Sequence, residues 1–260
     1  MSAELRAIFD QDAELYDRAR PGYPEALFDD LVELGVIGPG RRVLEIGAGT
    51  GQATLSIARR GSSVQAVELG AALADRLRHN AVGLPVDVAT SAFEDFAAPP
   101  HSFDAVLAFT AWHWLTPDVR VQRAHTALRR GGALVTVATD HVLGGSTQFF
   151  ADAQECYERW DPATPPGLRL TAADDIPPVL DEVDESGLFE PATRRRYLAD
   201  ISYSAQAYLD VLGTYSGHRA LSAERRTGLL RCIRELIDGD YGGTVTKRYL
   251  YEVRVARTSY

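Results

Sequence analysis

The chain contains 260 residues, of which 45% are apolar and 24% are charged, a composition typical of globular proteins. This composition excludes a disordered, collagen-like or disulfide-stapled chain. The 36 acidic and 27 basic side chains give a formal net charge of −9, which opposes contact with nucleic acid or anionic lipid. We therefore expect neither nucleic acid nor a membrane among the partners.

The N-terminal segment predicts helices and no targeting signal. Residues 1–20 carry several acidic side chains and no apolar run, which is unlike a secretory signal. Nowhere does the chain approach the ~20 consecutive apolar residues of a membrane span, so we expect a cytoplasmic protein. Leu27, Leu31 and Leu34 recur at helical spacing after Pro24, which predicts an amphipathic helix over 25–34.

Short β-branched runs alternate with helical patterns between residues 41 and 137. This rhythm is typical of a parallel sheet with helices on both faces. The runs are almost continuously apolar, as expected for strands that are buried on both sides. The predicted strands cover 42–46, 64–68, 86–89, 104–109 and 133–138.

The second half of the chain has a different composition and residue pattern. Segment 141–192 is rich in proline and contains the acidic stretch 181–185, which predicts loops and short helices that cap a pocket together with the N-terminal helices. An apolar helix face begins at Leu229 and is closed by Gly239. Alternation from 245 to 255 predicts a strand that buries one side and exposes the other, the exposed side carrying Glu252 and Arg254.

One stretch carries a specific chemical signal. Predicted strand 42–46 runs directly into Gly47-Ala48-Gly49-Thr50-Gly51 and then into a helix predicted over 52–60. Glycines there allow a tight turn and let the backbone approach a ligand lying across the strand end, while the helix points its free N–H groups at it. Glu68 closes the second predicted strand, 21 residues after Gly47. A carboxylate at that position accepts hydrogen bonds from both ribose hydroxyls of a nucleoside cofactor.

Three motifs in this order resemble those of class I S-adenosylmethionine-dependent methyltransferases. They are Glu45-x-Gly47-x-Gly49-x-Gly51, Phe103-Asp104-Ala105-Val106 and Leu128-Arg129-Arg130-Gly131-Gly132-Ala133-Leu134. The flanking stretches 13–24 and 214–221 are similar to a small-molecule branch that includes trans-aconitate methyltransferase-like proteins. The resemblance covers nearly the whole chain. It implies a doubly wound α/β fold with a mostly parallel seven-stranded sheet, an antiparallel C-terminal strand and a helical cap.

The resemblance also implies the domain organisation. We expect one methyltransferase domain over 1–260, with N-terminal cap helices in 1–40, a cofactor-binding core in 41–138, a cap or insert in 139–192, and C-terminal strands and helices in 193–260. The two cysteines, Cys156 and Cys232, are far apart and form no CxxC pair. We interpret them as free thiols and predict no metal site. A monomer or a homodimer is expected.

Residue by residue, the resemblance implies a site for S-adenosylmethionine. Gly47, Ala48 and Gly49 would line its methionine and ribose parts, and Glu68 would hold the ribose hydroxyls. Relatives often place an Asp where this chain has Ser91. The other implied contacts are Leu69, Ser91, Ala92 and Phe93 around the adenine, Thr110 and Ala111 beside the methionine part, and Tyr16 and Arg20 closing over the cofactor, with Arg20 paired to its carboxylate.

Candidate catalytic and substrate residues lie after the fourth predicted strand and near the C-terminus. His113, between Trp112 and Trp114, would accept a proton from a hydroxyl or amine acceptor. Alternatively, His113 hydrogen-bonds a neighbouring loop while the tryptophans wall the pocket. Tyr215 would orient a substrate carboxylate that Arg219 clamps, or Arg219 forms an exposed ion pair. We interpret the remaining histidines of interest as helix or loop residues: His79, His101, His125 and His141.

We therefore expect an enzyme that transfers a methyl group from S-adenosylmethionine to oxygen, nitrogen or carbon of a small molecule, by in-line displacement in an enclosed pocket. The fourth predicted strand ends in Thr110-Ala111-Trp112, without the Asn/Asp-Pro-Pro-Tyr/Trp motif of adenine or glutamine methylation. Two alternatives stay open. One is a catalytically silent domain that binds the cofactor, and the other is a nicotinamide-dependent oxidoreductase, against which GxGxG rather than GxGxxG argues.

Overall fold

A computed structural model describes residues 12–259 and centres on one seven-stranded sheet. The strands are β1 Arg42–Ile46, β2 Ser63–Glu68, β3 Val86–Thr90, β4 Phe103–Phe109, β5 Leu128–Val142, β6 Thr193–Ser204 and β7 Thr244–Arg257. Their order is β3-β2-β1-β4-β5-β7-β6. Strands β1 to β5 are parallel, whereas β7 runs antiparallel to both β5 and β6. The predicted mostly parallel sheet with an antiparallel C-terminal strand is confirmed.

Helices flank the sheet and connect its strands. They are α1 Ala13–Ala19, α2 Glu25–Glu33, α3 Thr54–Arg59, α4 Ala71–Asn80, α5 Pro117–Ala127, α6 Thr147–Trp160, α7 Glu182–Glu185, α8 Ala205–Gly213, α9 Ser216–Ala220 and α10 Ala223–Asp240. All five predicted strands are present, and β5 continues to Val142, beyond its predicted end at 138. Gly239 lies inside α10 and does not close it, contrary to the prediction. From residue 12 to residue 259 no helix is long and apolar enough to cross a bilayer.

The core is divided by the sheet into two apolar layers. In β4, Ala105, Leu107 and Phe109 point into one layer, while Val106 and Ala108 point into the other. Because successive strand residues face opposite sides, a strand that is apolar at every position needs cover on both faces. Helices α2, α3, α6, α8 and α10 contribute to the first layer, and α5 with Val183 contributes to the second. The central strands are therefore fixed in place, and their carboxyl ends form a rigid edge.

The prediction of a half-exposed final strand is wrong. Glu252 is 4% exposed and Arg254 is 3% exposed, although both lie on the polar side of β7. Glu252 pairs with Arg194 and Arg196, and it accepts a hydrogen bond from the backbone N–H of Val179. Arg254 pairs with Asp181 and Asp184. The acidic, proline-rich segment therefore covers this face, and ion pairs rather than apolar contacts satisfy it.

The prediction of two free thiols is also wrong. Cys156 and Cys232 form a disulfide with a Cα–Cα distance of 5.8 Å. Cys156 lies on α6 and Cys232 on α10, and these two helices pack against each other on the same face of the sheet. The bond closes a sequence separation of 76 residues. Only the tertiary packing of α6 on α10, which the spacing of the cysteines does not report, brings the two sulfur atoms together.

Candidate active site

A cavity of about 520 Å³ opens at the carboxyl ends of the parallel strands. Open α/β sheets bind ligands at this edge, where the chain leaves adjacent strands in opposite directions. Tyr16 and Arg20 line the cavity from the N-terminal side, and Tyr215 and Lys247 line it from the second half of the sequence. Residues 143–192 do not reach it, contrary to the predicted cap, because the proline-rich part of that segment lies against β7 instead.

The glycine loop after β1 has no room for side chains. Gly47 has φ +66°, and a Cβ built on it would lie 2.6 Å from the Ala111 Cβ. Gly49 has φ +59°, and its Cβ would lie 3.3 Å from the Tyr16 ring. Both glycines line the cavity, so their backbone forms part of its wall. Ala48 differs from its neighbours, because its side chain is buried in the apolar core and does not line the cavity.

Glu68 places a fixed negative charge beside the glycine loop. Its Oε2 accepts a hydrogen bond from the Gly49 N–H at 2.8 Å, and its Oε1 accepts one from the Gly70 N–H at 2.8 Å. The side chain is 8% exposed and lines the cavity. A carboxylate oxygen has two lone pairs and can accept more than one hydrogen bond. This geometry suits the predicted contact with a pair of ribose hydroxyls.

The predicted adenine contacts line the cavity next to Glu68. Leu69 is 41% exposed, whereas Phe93 is buried. The Ser91 hydroxyl donates to the Ala92 carbonyl oxygen at 2.8 Å. Glu94 accepts hydrogen bonds from the backbone N–H and the hydroxyl of Thr116. This wall combines the apolar side chains of Leu69, Ala92 and Phe93 with the polar side chains of Ser91 and Glu94.

Tyr16 and Arg20 approach the cavity from the end of α1. The Arg20 guanidinium lies 5.1 Å from the centre of the Tyr16 ring and 4.8 Å from that of Tyr215. Its Nη2 donates to the Thr214 carbonyl oxygen at 3.2 Å. Its Nε is buried and has no hydrogen-bond partner among residues 12–259. A buried N–H group without a partner favours a ligand that accepts hydrogen bonds there.

Thr110 stands at the end of β4 in a strained conformation. Its φ is +53°, which is unusual for a β-branched residue. Two hydrogen bonds hold its hydroxyl, one with the Tyr23 hydroxyl at 3.1 Å and one with the Thr139 hydroxyl at 2.9 Å. Strain of this kind persists where the surroundings fix it, and it clusters at functional sites. Thr110 and Ala111 both line the cavity as predicted contacts.

The loop after β4 brings one imidazole to the cavity. His113 lines it, with its ring centre 5.2 Å from that of Trp114, which also lines it. Although His113 is an exposed residue, partial burial of its ring, and next the Arg120 guanidinium, lower its pKa below the ordinary value. Trp112 instead points into the core, where its carbonyl accepts a hydrogen bond from Arg120. Only one of the two tryptophans therefore walls the cavity.

Of the two predicted substrate residues near the C-terminus, only one reaches the cavity. Tyr215 lines it, and its hydroxyl accepts a hydrogen bond from the Lys247 ammonium at 2.9 Å. Arg219 does not line it, and its Nε donates to the Gly213 carbonyl oxygen at 2.7 Å. This position offers no support for the predicted clamp on a substrate carboxylate.

Sequence reasoning missed several polar residues that line the cavity, among them Asp140, His141 and Lys247. Asp140 and His141 belong to the unexpected extension of β5, so His141 is a strand residue and was wrongly interpreted as a helix or loop residue. Burial, and next Lys247, lower the pKa of His141 to about 3. Its Nε2 is buried without a hydrogen-bond partner in the described part of the chain. One signal was available, since Lys247 is the only lysine and lies on the apolar side of the β7 alternation.

The residues at the Glu68 end of this cavity fit S-adenosylmethionine. The glycine backbone leaves space along the end of β1, and the Glu68 carboxylate offers acceptors for two hydroxyl groups. The buried Arg20 Nε offers a cationic donor for a carboxylate. Ribose hydroxyls and an amino-acid carboxylate are the groups that such acceptors and donors bind.

Comparisons with known proteins identify the family. Residues 43–132 match a family model described as a methyltransferase domain. An uncharacterized methyltransferase of Mycobacterium tuberculosis is 31% identical over 237 residues, which cover 90% of this chain and 87% of that protein.

Solved structures show the same fold. A structure provisionally assigned as a type II methyltransferase from Anaeromyxobacter dehalogenans is 27% identical with a TM-score of 0.61, covering 92% of this chain and 97% of that one. The [4+2]-cyclase SpnF shares the fold at 20% identity and a TM-score of 0.52, covering 92% of this chain and 83% of that one. The motifs, the cavity and the relatives together show that this chain belongs to the class I S-adenosylmethionine-dependent methyltransferases.

Proposed function

We propose that this enzyme methylates a small molecule that enters the cavity beside S-adenosylmethionine. The observation that carries the proposal is the lining of a single cavity. Glu68 and the glycine loop line it, and so do His113, His141 and Lys247, three side chains for which the cofactor has no predicted contact. A volume of about 520 Å³ lies within the range of small-ligand pockets. These three side chains are thus the candidates to contact an acceptor.

The chain's own residues bind and orient the two ligands, and they exclude water from the cavity. When bound, S-adenosylmethionine supplies an activated methyl group on sulfur, so the protein needs only to align an acceptor with it and to manage a proton. The aromatic rings of Tyr16, Trp114 and Tyr249 wall the cavity and limit the access of water. The strained Thr110 holds the end of β4, and therefore the approach to the glycine loop, in a fixed geometry.

His113 is the candidate base within this cavity. Burial and Arg120 lower its pKa, so the imidazole is neutral at pH 7 and can accept a proton from a hydroxyl or amine. His141 is less suited to that task, because a pKa of about 3 makes its imidazole a weak base. A neutral His141 is better suited to accept a hydrogen bond that orients the acceptor.

The charge and the loop after β4 support a small acceptor. A net charge of −9 opposes the approach of a nucleic acid. The end of β4 reads Thr110-Ala111-Trp112, which lacks the Asn/Asp-Pro-Pro-Tyr/Trp pattern of enzymes that methylate adenine or glutamine.

The test is the fate of labelled methyl groups. The enzyme is incubated with S-adenosylmethionine labelled on its methyl group and with a bacterial extract that contains metabolites, protein and nucleic acid. The proposal predicts label in the low-molecular-mass fraction, and it predicts that Glu68→Ala reduces this label when S-adenosylmethionine is limiting. Label in protein or nucleic acid, or no transfer to any fraction by an enzyme that binds S-adenosylhomocysteine, would contradict the proposal.

A further inference from the structure

We propose that Lys247 anchors an anionic group of the acceptor, specifically a carboxylate, at the end of the cavity away from the glycine loop. This inference rests on the proposed function, since it names the class of acceptor that the same cavity takes. The inference depends on three features of Lys247: its burial, the absence of a counter-ion within the described residues, and its place in the cavity wall.

Lys247 is a buried cation that points into a ligand cavity. It is 4% exposed and lines the cavity from β7. Its Nζ donates one hydrogen bond, to the Tyr215 hydroxyl, and lies 4.8 Å from the centre of the Tyr249 ring. An ammonium group has three N–H donors, so two further donors are available to a ligand.

No carboxylate between residues 12 and 259 pairs with Lys247. Buried lysines are almost always paired, because removing an ammonium from water is costly. Elsewhere in this fold the buried Arg254 follows that rule, with Asp181 and Asp184 as partners. Lys247 departs from it, and it does so in the wall of a cavity where a ligand can supply the negative charge.

The groups that contact Lys247, or lie close enough for its charge to shift their pKa, are aromatic side chains. Tyr215, Tyr249, His141 and His218 are near it, and none of them is ordinarily an anion. Burial is the first cause that lowers the pKa of His141 to about 3 and that of His218 to about 4; Lys247 lowers both as well, whereas Asp161 acts to raise that of His218. Both imidazoles are therefore neutral at pH 7. Although burial acts to raise the pKa of Tyr215, Lys247 and then Arg20 bring it below its ordinary value. Asp140 also lines the cavity, but it forms no ion pair with Lys247 within residues 12–259, and burial raises its pKa.

A line of contacts locates Lys247 relative to the cofactor end. Gly49 is next to the Tyr16 ring, and Arg20 lies between Tyr16 and Tyr215. Lys247 lies 5.0 Å from the centre of the same Tyr215 ring. Arg20 is thus the cation nearer to the glycine loop and suits the carboxylate of the cofactor. Lys247 is the next cation along the wall, so the acceptor is the ligand that it meets.

The binding test uses simple carboxylates on the enzyme saturated with S-adenosylhomocysteine. Acetate, hexanoate and benzoate are each compared with the matching primary amide at constant ionic strength, with the thermal midpoint as the readout. We expect at least one acid, and not its amide, to raise the midpoint of the wild type and of Arg248→Met. Arg248 is the matched control, because it neighbours Lys247 on β7 and pairs with Asp200 at the surface.

Lys247→Met is expected to weaken binding of that acid about 10- to 100-fold, the range for loss of a hydrogen bond to a charged group. Its affinity for S-adenosylhomocysteine should stay within about twofold of the wild type, which also shows that the variant folds. Equal stabilisation by acids and amides in the wild type would overturn the inference without any variant. Undiminished binding of the acid by Lys247→Met would overturn it as well.

The two proposals fail differently. Transfer of label to neutral small molecules, with no preference for acids, would leave the proposed function in place and overturn the role of Lys247. Acid-specific stabilisation that requires Lys247, without transfer of label to any small molecule, would overturn the proposed function and leave the anion site in place.

Discussion

The residue type at Gly47 in the glycine loop is determined by its backbone conformation and by the atoms around it. Gly47→Ala would force a left-handed backbone on alanine and place its Cβ 2.6 Å from that of Ala111. We expect this variant to lower the free energy of unfolding by about 2–5 kcal/mol, from backbone strain together with overpacking. Denaturant unfolding measures the change.

Gly83→Ala is the matched control, because Gly83 has φ +82° and no atom within 4 Å of a built Cβ. It isolates the backbone cost, of about 1–3 kcal/mol. If the two variants lose the same stability, the close approach of Ala111 to the loop has no energetic consequence, and that explanation of Gly47 is wrong.

His113 carries the residue-scale prediction about chemistry. His113→Gln should lower kcat by about 100-fold or more if the imidazole takes the acceptor's proton, while S-adenosylhomocysteine binds as before. Burial and Arg120 lower the pKa of His113, so wild-type activity should fall only below pH ~6.5, and this acidic limb should vanish in the variant. An unchanged kcat would leave His113 with no role as a base. His79→Gln, at an exposed position outside the cavity, is the control.

The sequence predicted the cofactor end of the site better than the acceptor end. The glycine loop predicts Gly47, the spacing after that loop predicts Glu68, and the N-terminal motif predicts Arg20. All three residues line the cavity. His141 and Lys247 lie more than 100 residues apart in the chain and meet only because β5 pairs with β7. No local pattern reports that pairing. The resemblance to trans-aconitate methyltransferase-like proteins remains a prediction.

Among the elements, β7 shows that alternation of apolar and polar residues does not predict exposure of the polar face. A period of two predicts which residues share a face, and β7 keeps that pattern. It does not predict what covers the polar face, since Asp181, Asp184 and Arg194 come from distant parts of the chain. The five parallel strands were predictable because each contains a short run of mainly apolar and β-branched residues, which is typical of strands covered on both sides.

The disulfide between α6 and α10 gives the element-scale prediction. In denaturant without reductant, thiol titration should find no free cysteine, and after reduction it should find two. Cys156→Ala/Cys232→Ala should lower the free energy of unfolding by about 2–4 kcal/mol, because a long loop in the unfolded chain is released. Two titratable thiols in the unreduced protein would contradict the pairing.

At the scale of the whole molecule, buried titratable groups make stability depend on pH. Burial lowers the pKa of His141 to about 3 and that of His218 to about 4, below the ~6.5 of an unfolded histidine. As the pH falls, the unfolded chain therefore binds protons at these two histidines before the folded chain does. The stability that the neutral histidines provide above pH ~6.5 is lost in this way. Glu45 acts in the opposite sense, because burial raises its pKa to about 8 and its contribution is lost as the pH rises.

The histidine part can be isolated with His141→Phe/His218→Phe. The free energy of unfolding of this variant should fall less steeply than that of the wild type between pH 6.5 and 4, as measured by urea unfolding at each pH. His79→Gln, which changes an exposed histidine, should follow the wild type. Parallel curves for all three proteins would show that burial does not hold His141 and His218 neutral.

The account depends most on the use of Glu68 and the glycine loop for S-adenosylmethionine, and calorimetry tests this directly. Titration with S-adenosylhomocysteine should give one saturable site in the wild type. In Glu68→Ala, affinity should be about 1–3 kcal/mol weaker, since charge-assisted hydrogen bonds are lost. NAD should give no heat of binding. A heat of binding with NAD and none with S-adenosylhomocysteine would contradict the account.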